Sequence, residues 1–262
     1  MNITGSPPNL SGVRLIRNHS RTVWIPLRTL FGVPRRLLLV KKFKERKSQV
    51  HTLEDAVAFA YDFEYHGVTI RPLQVKEEIM SLVKNLQDLS PRAVLEIGTS
   101  HGGSLYLFCM AALPEASIIS VDLRGGVYGG GYSRLRIPLY KSFAKGRQEI
   151  HLINGNSHED STLRNVKDIL KGRPVDFLFI DGDHTYAGVK SDFEFYSQLV
   201  RGGGIIALHD IVEHSKDKSV EVQRFWHEIR AKYHYKEIVK DWNQGWGGIG
   251  LIYQNHGRDV IK

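Results

Sequence analysis

The stretch VDFLFIDGDHTY, residues 175–186, runs Val175, Phe177, Leu178, Phe179 and Ile180 straight into Asp181, Gly182, Asp183 and His184. The apolar run reads as a buried strand. Asp and Gly are good turn formers, but open α/β sheets also place their chemistry at the carboxyl ends of parallel strands. A second strand end, GGIIALHD (203–210), closes on His209 and Asp210. If the two strands are neighbours, Asp181 and Asp210 could share one hard cation such as Mg2+, which takes oxygen ligands and tolerates water. His209 could ligate through its imidazole and shift the preference towards Mn2+, Fe2+ or Zn2+. The ordinary pKa of His184 lies near neutrality, which suits it to take a proton.

An earlier turn, LEIGTSHGGS (95–104), joins a strand to a helix. Gly98 can adopt backbone angles closed to other residues. Gly102 and Gly103 open a close approach to a helix N-terminus, whose free N–H groups favour an anionic or carboxylate-bearing ligand. The spacing is neither the dinucleotide G-x-G-x-x-G nor a Gly-Lys-Ser/Thr phosphate loop. Glu96, two residues before the first glycine, would face a cation rather than a pyrophosphate. Asp122 ends the next strand, where an acid can accept both ribose hydroxyls. Together these features point to a nucleoside with a positive or amino-acid end.

Strands predicted at 93–98, 116–123, 149–155, 175–181 and 203–210 alternate with helices at 104–113, near 132–145, 161–170, 187–200 and 220–233. Such alternation implies a parallel sheet with helices on both faces. YKEIVKDW and GIGLIYQ add two last strands, separated by NQGWG and pairing as an antiparallel hairpin. The expected fold class is therefore α/β: a Rossmann-like, seven-stranded, mostly parallel sheet with a C-terminal hairpin and a basic N-terminal extension. Residues 51–92 form a helical lead-in, with Thr52 as a helix cap and apolar residues at helical spacing over 75–89. Residues 93–262 form the main domain.

The net charge of +8 is concentrated in residues 1–50, which hold 11 Lys or Arg and one acid, Glu45. The remainder sums to slightly negative, so nucleic acid is not an expected partner. Residues 1–20 read as disordered. The segment 22–47 is basic and aromatic; it could lie on an anionic membrane surface, pack on its own domain, or pack on a second subunit of a homo-oligomer. It is too interrupted by Arg28, Pro34, Arg35 and Arg36 to span a bilayer. A single cysteine, Cys109, excludes an internal disulfide framework and fits a reducing, cytoplasmic setting.

VLEIGTSHGGS, ISVDL and DFLFIDGDHTY…GGGIIALHD together resemble the class I S-adenosylmethionine-dependent methyltransferases. Within them the sequence is similar to the small-molecule and sugar O-methyltransferases whose relatives include cephalosporin hydroxylases. The resemblance covers about 93–252. It implies that Glu96, Gly98, Thr99, Ser100, Gly102, Gly103 and Ser104 wrap the methionine end of the cofactor, with Glu96 near its amino group. It implies that Asp122 holds the ribose, that Asn156 and Ser157 meet the adenine, and that Asp181 adjoins the cofactor as well as a metal. Asp183 matches the position of a general base, with His184 beside it as the other candidate. The relatives carry two adjacent acids, or an acid and an amide, where this chain has His209–Asp210. The implied reaction is cation-assisted methylation of a hydroxyl on a sugar, glycolipid or other small molecule. Two alternatives stand beside it: a hydroxylase-like relative with a redox metal, and an RNA- or membrane-docked binding module using the basic leader. The loop GGVYGGGYS (125–133) could close over the acceptor. Trp242 and Trp246 could stack on a sugar, and Gln74 could help cover the cofactor.

Overall fold

The computed structural model describes residues 27–125 and 130–255, with side chains from Arg35 onward. The first 26 residues, and with them the disorder expected over 1–20, lie outside the described residues. So does the centre of the glycine-rich loop, Tyr128 included.

The chain opens with α1 (Leu27–Lys47) and α2 (Leu53–Asp62), followed by a short hairpin of β1 (Glu64–Tyr65) and β2 (Val68–Thr69), and α3 (Lys76–Leu89). Thr52 starts α2 as expected. Its hydroxyl accepts the Asp55 N–H while the Asp55 carboxylate accepts the Thr52 N–H, a reciprocal capping box.

The expected alternation then follows: β3 (Ala93–Ile97), α4 (Gly103–Ala111), β4 (Ser117–Asp122), α5 (Arg136–Lys141), β5 (Glu149–Asn154), α6 (Asp160–Leu170), β6 (Val175–Ile180), α7 (Tyr186–Tyr196), β7 (Val200–His209), α8 (Val222–Ile229), β8 (His234–Ile238) and β9 (Ile249–Tyr253). The seven long strands order as β5-β4-β3-β6-β7-β9-β8. Only β9 runs against the rest, pairing antiparallel with both β7 and β8. The closing hairpin has a longer connection than NQGWG: β8 ends at Ile238, and the loop 239–248 carries both Trp242 and Trp246. Lys240 N–H, Gln244 Nε2 and Gly248 N–H all donate to the buried Glu78 of α3. Those bonds hold the loop as irregular structure where a longer strand was expected.

Helices cover both faces. One face buries an aromatic cluster in which Phe43 lies 5.0 Å from Phe143 and 5.2 Å from Phe63, centroid to centroid. The other buries Leu178, Phe193, Phe225 and Trp226. Phe43 belongs to α1, so the described part of the basic leader is not a free arm. Leu39 and Phe43 are fully buried, and the Lys47 ammonium donates to the carbonyls of Phe143 and Ala144 at 2.5 and 3.0 Å.

β3 and β6 are adjacent, and from them the sheet order departs in opposite directions. The switch point between them opens a crevice at the carboxyl edge, where such sheets bind ligands.

Candidate active site

That crevice is a cavity of about 790 Å3, a size suited to a nucleoside-sized ligand. The loops after β3, β4, β5, β6 and β7 all contribute to its wall.

The loop after β3 brings Gly98, Thr99, Ser100, Gly103 and Ser104 to the cavity. Gly98 sits at φ +88°, and a Cβ there would stand 2.0 Å from the Asp181 carbonyl oxygen. Glycine is required because the β3 and β6 loops touch at this point. Gly102 does not line the cavity; at φ +86°, its missing Cβ leaves room for the Tyr140 ring. The expected ligand-approach role at 102 is corrected to a packing role. Ser100 lies at φ +47°, and its hydroxyl is buried without a hydrogen-bond partner. A buried polar atom without a partner in a cavity wall fits a site awaiting a polar ligand.

Glu96 is placed differently from expectation. It is fully buried and not in the cavity wall. Ser104 Oγ donates to its Oε1 at 2.5 Å, and Ser120 Oγ to its Oε2 at 2.7 Å. Tyr132 and Thr99 extend this network through Ser120. Burial pushes the Glu96 pKa up to about 7, against the serine hydrogen bonds that lower it. Glu96 therefore braces the glycine turn from beneath, and direct contact with an amino group is not its position here.

Asp122 does line the cavity, at the end of β4. Its Oδ2 accepts the Gly131 N–H at 2.8 Å and its Oδ1 the Leu123 N–H at 3.1 Å. Burial raises its pKa, and these backbone bonds oppose the rise. Asn156 and Ser157 line the cavity after β5 as expected. The Asn156 Oδ1 accepts the His158 N–H at 3.0 Å, and Tyr196 Oη donates to the Ser157 carbonyl at 2.8 Å. The first bond orders the β5 loop and the second ties it to α7.

The neighbouring strand ends of β6 and β7 do bring Asp181 and Asp210 together, with His184 as the third member. One donor atom from each lies within 4.8 Å of the others. His184 Nδ1 is 2.8 Å from Asp210 Oδ2. Gln74 Nε2 donates to Asp181 Oδ2 at 2.7 Å, so Gln74 positions an acid in addition to lining the cavity. Asp210 sits at φ +64°, a strained backbone of the kind held at functional sites.

His209, expected as a ligand, is not in this convergent group. Its Nδ1 turns to Asp181 Oδ1 at 3.1 Å, and its Nε2 is buried without a partner. It stands behind the acids as a positioning residue, and His184 is the histidine that joins the acids at the cavity. Burial would lower the His209 pKa, but Asp210 and Asp181 together hold it well above the ordinary histidine value. Burial would likewise raise Asp210, but His209 and hydrogen bonds from His184 and His214 hold it well below the carboxylate range.

Asp183 lines the cavity from an exposed position, and its Oδ1 accepts the Thr185 N–H at 2.9 Å. His184 lies deeper. His214 was missed by sequence reasoning; its Nε2 is 2.9 Å from Asp210 Oδ1. Its only signal was a histidine four residues after Asp210, in a segment with no periodic structure. Trp246 reaches the cavity rim, whereas Trp242 does not line it.

The parallel sheet with its antiparallel last strand and a nucleoside-sized crevice at the switch point define the class I methyltransferase fold. Residues 95–211 match the family model of a methyltransferase domain. Residues 95–211 are thus a methyltransferase domain, in a chain whose fold is that of the class I S-adenosylmethionine-dependent enzymes. Among solved structures, it is similar to the O-methyltransferase TomG of Streptomyces achromogenes, involved in tomaymycin synthesis and solved with S-adenosylmethionine. That similarity has TM-score 0.53 and 18% identity over 79% of this chain and 91% of that one. An O-methyltransferase from Bacillus cereus, solved with S-adenosylhomocysteine, gives TM-score 0.51 and 17% identity, covering 82% of this chain and 100% of that one. Among curated sequences, an uncharacterized protein of Sinorhizobium fredii, y4gI, is 26% identical over 73% of this chain and 20% of its own length. "Probable caffeoyl-CoA O-methyltransferase 1" of Dictyostelium discoideum is 28% identical over 56% of this chain and 60% of its own. The chain thus spans from a fifth to about three fifths of the length of these curated relatives.

Proposed function

We propose that the protein is an S-adenosylmethionine-dependent O-methyltransferase acting on a hydroxyl of a sugar, glycolipid or other small molecule, assisted by a divalent cation. The observation that carries this reading is the convergence of Asp181, His184 and Asp210 in the same cavity as Asp122 and the β3 glycine turn. The O-methyltransferases among the similar structures support it. The methyl donor would lie across the β3 and β4 ends, with its ribose at Asp122 and its adenine at Asn156 and Ser157. The Ser100 hydroxyl supplies a polar contact there.

Transfer is an in-line displacement. The acceptor oxygen forms a bond to the methyl carbon, the carbon–sulfonium bond breaks, and its electron pair stays on sulfur, leaving S-adenosylhomocysteine. The hydroxyl proton must leave, and the protein's contribution is largely position and proton transfer. His184 takes that proton in this reading, oriented by Asp210. Asp183 is left to shape the loop through Thr185. The two carboxylates of the cluster offer the oxygen ligands that fit a hard divalent cation, with His184 beside them for the proton. Asp181 and Asp210 would hold the cation, where it would lower the pKa of the acceptor hydroxyl.

Incubation with labelled S-adenosylmethionine against sugar, lipid-linked sugar and phenolic acceptors, with Mg2+ or chelator, tests the reading. Transfer lost in chelator supports all of it. Transfer unchanged in chelator removes the cation. Histidines 184, 209 and 214 surround Asp210 closely enough to favour a second reading, a hydroxylase-like enzyme with a redox metal. Iron recovered with protein purified without oxygen, together with no methyl transfer, would favour that alternative.

A further inference from the structure

Residues 35–47 of α1 carry seven Lys or Arg and a single acid, Glu45. Three of the cations turn inward. Lys47 donates to the α5 end, Arg46 lies over the Phe59 and Phe63 rings, and Arg36 Nη1 donates to the Arg134 carbonyl at 3.4 Å. The outward face holds Leu37 and Leu38, 66% and 52% exposed, bracketed by exposed Arg35, Lys41, Lys42 and Lys44. Two adjacent leucines this exposed have no role in the fold's own core.

This face continues to the cavity mouth along two paths. On one, Arg35 Nη2 donates to the His66 carbonyl at 3.1 Å, in the turn of the β1–β2 hairpin, and that hairpin leads into Arg71 and Leu73. Both are exposed and both line the cavity. On the other, Arg36 meets Arg134, and the same loop packs Gly131 against Arg124, next to the exposed, cavity-lining Leu123. Leucine beside arginine recurs at each step. Phosphate-backbone binding needs the cations but not the leucines. The headgroup–acyl boundary of an anionic bilayer uses both: cations meet lipid phosphates while short apolar side chains enter the acyl edge.

We infer that the outward face of α1 docks on an anionic lipid bilayer, setting the cavity mouth at the interface to receive the hydroxyl of a membrane-resident amphiphile. The docking stands on α1 alone. The acceptor class rests on the transferase reading above. No described helix is long and apolar enough to cross a membrane.

Flotation of the full chain with vesicles tests this. Phosphatidylcholine vesicles are compared with the same lipid containing about one-third phosphatidylglycerol, at about 0.1 M salt. The full chain is expected to float with the anionic vesicles only. K41E/K42E should weaken partitioning about ten-fold or more, and L37S/L38S should leave only a residue that added salt abolishes. Unchanged melting and unchanged S-adenosylhomocysteine binding by calorimetry would show both variants folded. No partitioning, or equal partitioning by the variants, overturns the inference. So does light scattering in which L37S/L38S converts a dimer to a monomer, because a second copy would then cover the leucines. Wild type that floats but binds no S-adenosylhomocysteine keeps the docking surface and removes the transferase reading.

Discussion

At the scale of single residues, the proposed function gives Asp181, Asp210 and His184 different tasks in one small volume. His184→Gln should lower kcat on the order of 10²–10⁴-fold, the range for losing a general base, with the KM for the methyl donor little changed. Steady-state kinetics at saturating acceptor checks this. Asp181→Ala should abolish turnover and reduce bound divalent metal measured by elemental analysis; retained metal with lost turnover would restrict Asp181 to orientation. Glu96 carries a separate prediction. Its buried carboxyl is pushed up to about 7 from 4.5, so the folded state holds a proton that the unfolded state has lost. The associated stability is full below about pH 4.5, falls as pH rises towards 7, and is flat above. The total is on the order of 3 kcal/mol. Urea unfolding from pH 5 to 8 should show a steeper decline for wild type than for Glu96→Gln. Residue types announced much of this site, since acids at strand ends are conspicuous. Side-chain direction did not show: nothing in HD at 209–210 says that His209 turns back to Asp181 while His184 turns to Asp210.

At the scale of elements, the alternation from β3 to β7 was legible because apolar runs of strand length alternate with helical spacing. Thr52 and Asp55 announced α2 by their own chemistry. Contacts between distant segments were not legible. Gln74 reaches Asp181 across 107 positions, and Glu78 reaches Gly248 across 170. No local pattern encodes either. α1 shows the same limit, because its charge obscured Leu39 and Phe43, the two residues that bind it to the core. Phe43→Ala should cost about 3–5 kcal/mol, measured as a fall in the urea midpoint at constant slope. A cost under about 1 kcal/mol would return α1 to the status of a loose arm. Gly98→Ala would place a methyl against the Asp181 carbonyl at positive φ, so both stability and turnover should fall together.

For the whole molecule, the sheet order creates the crevice, and five strand ends furnish its walls. In the proposed reading, the donor half lies over β3, β4 and β5, and the reacting half over β6 and β7. This division makes the two halves separable by mutation: Asp122→Ala should weaken cofactor binding, while His184→Gln should leave it nearly intact. The most direct test is calorimetric titration of S-adenosylhomocysteine into wild type, Asp122→Ala and His184→Gln. Saturable heat for wild type, at least about ten-fold weaker binding for Asp122→Ala, and near-wild-type binding for His184→Gln are predicted. Wild type giving no heat, or binding that ignores Asp122, would contradict the account.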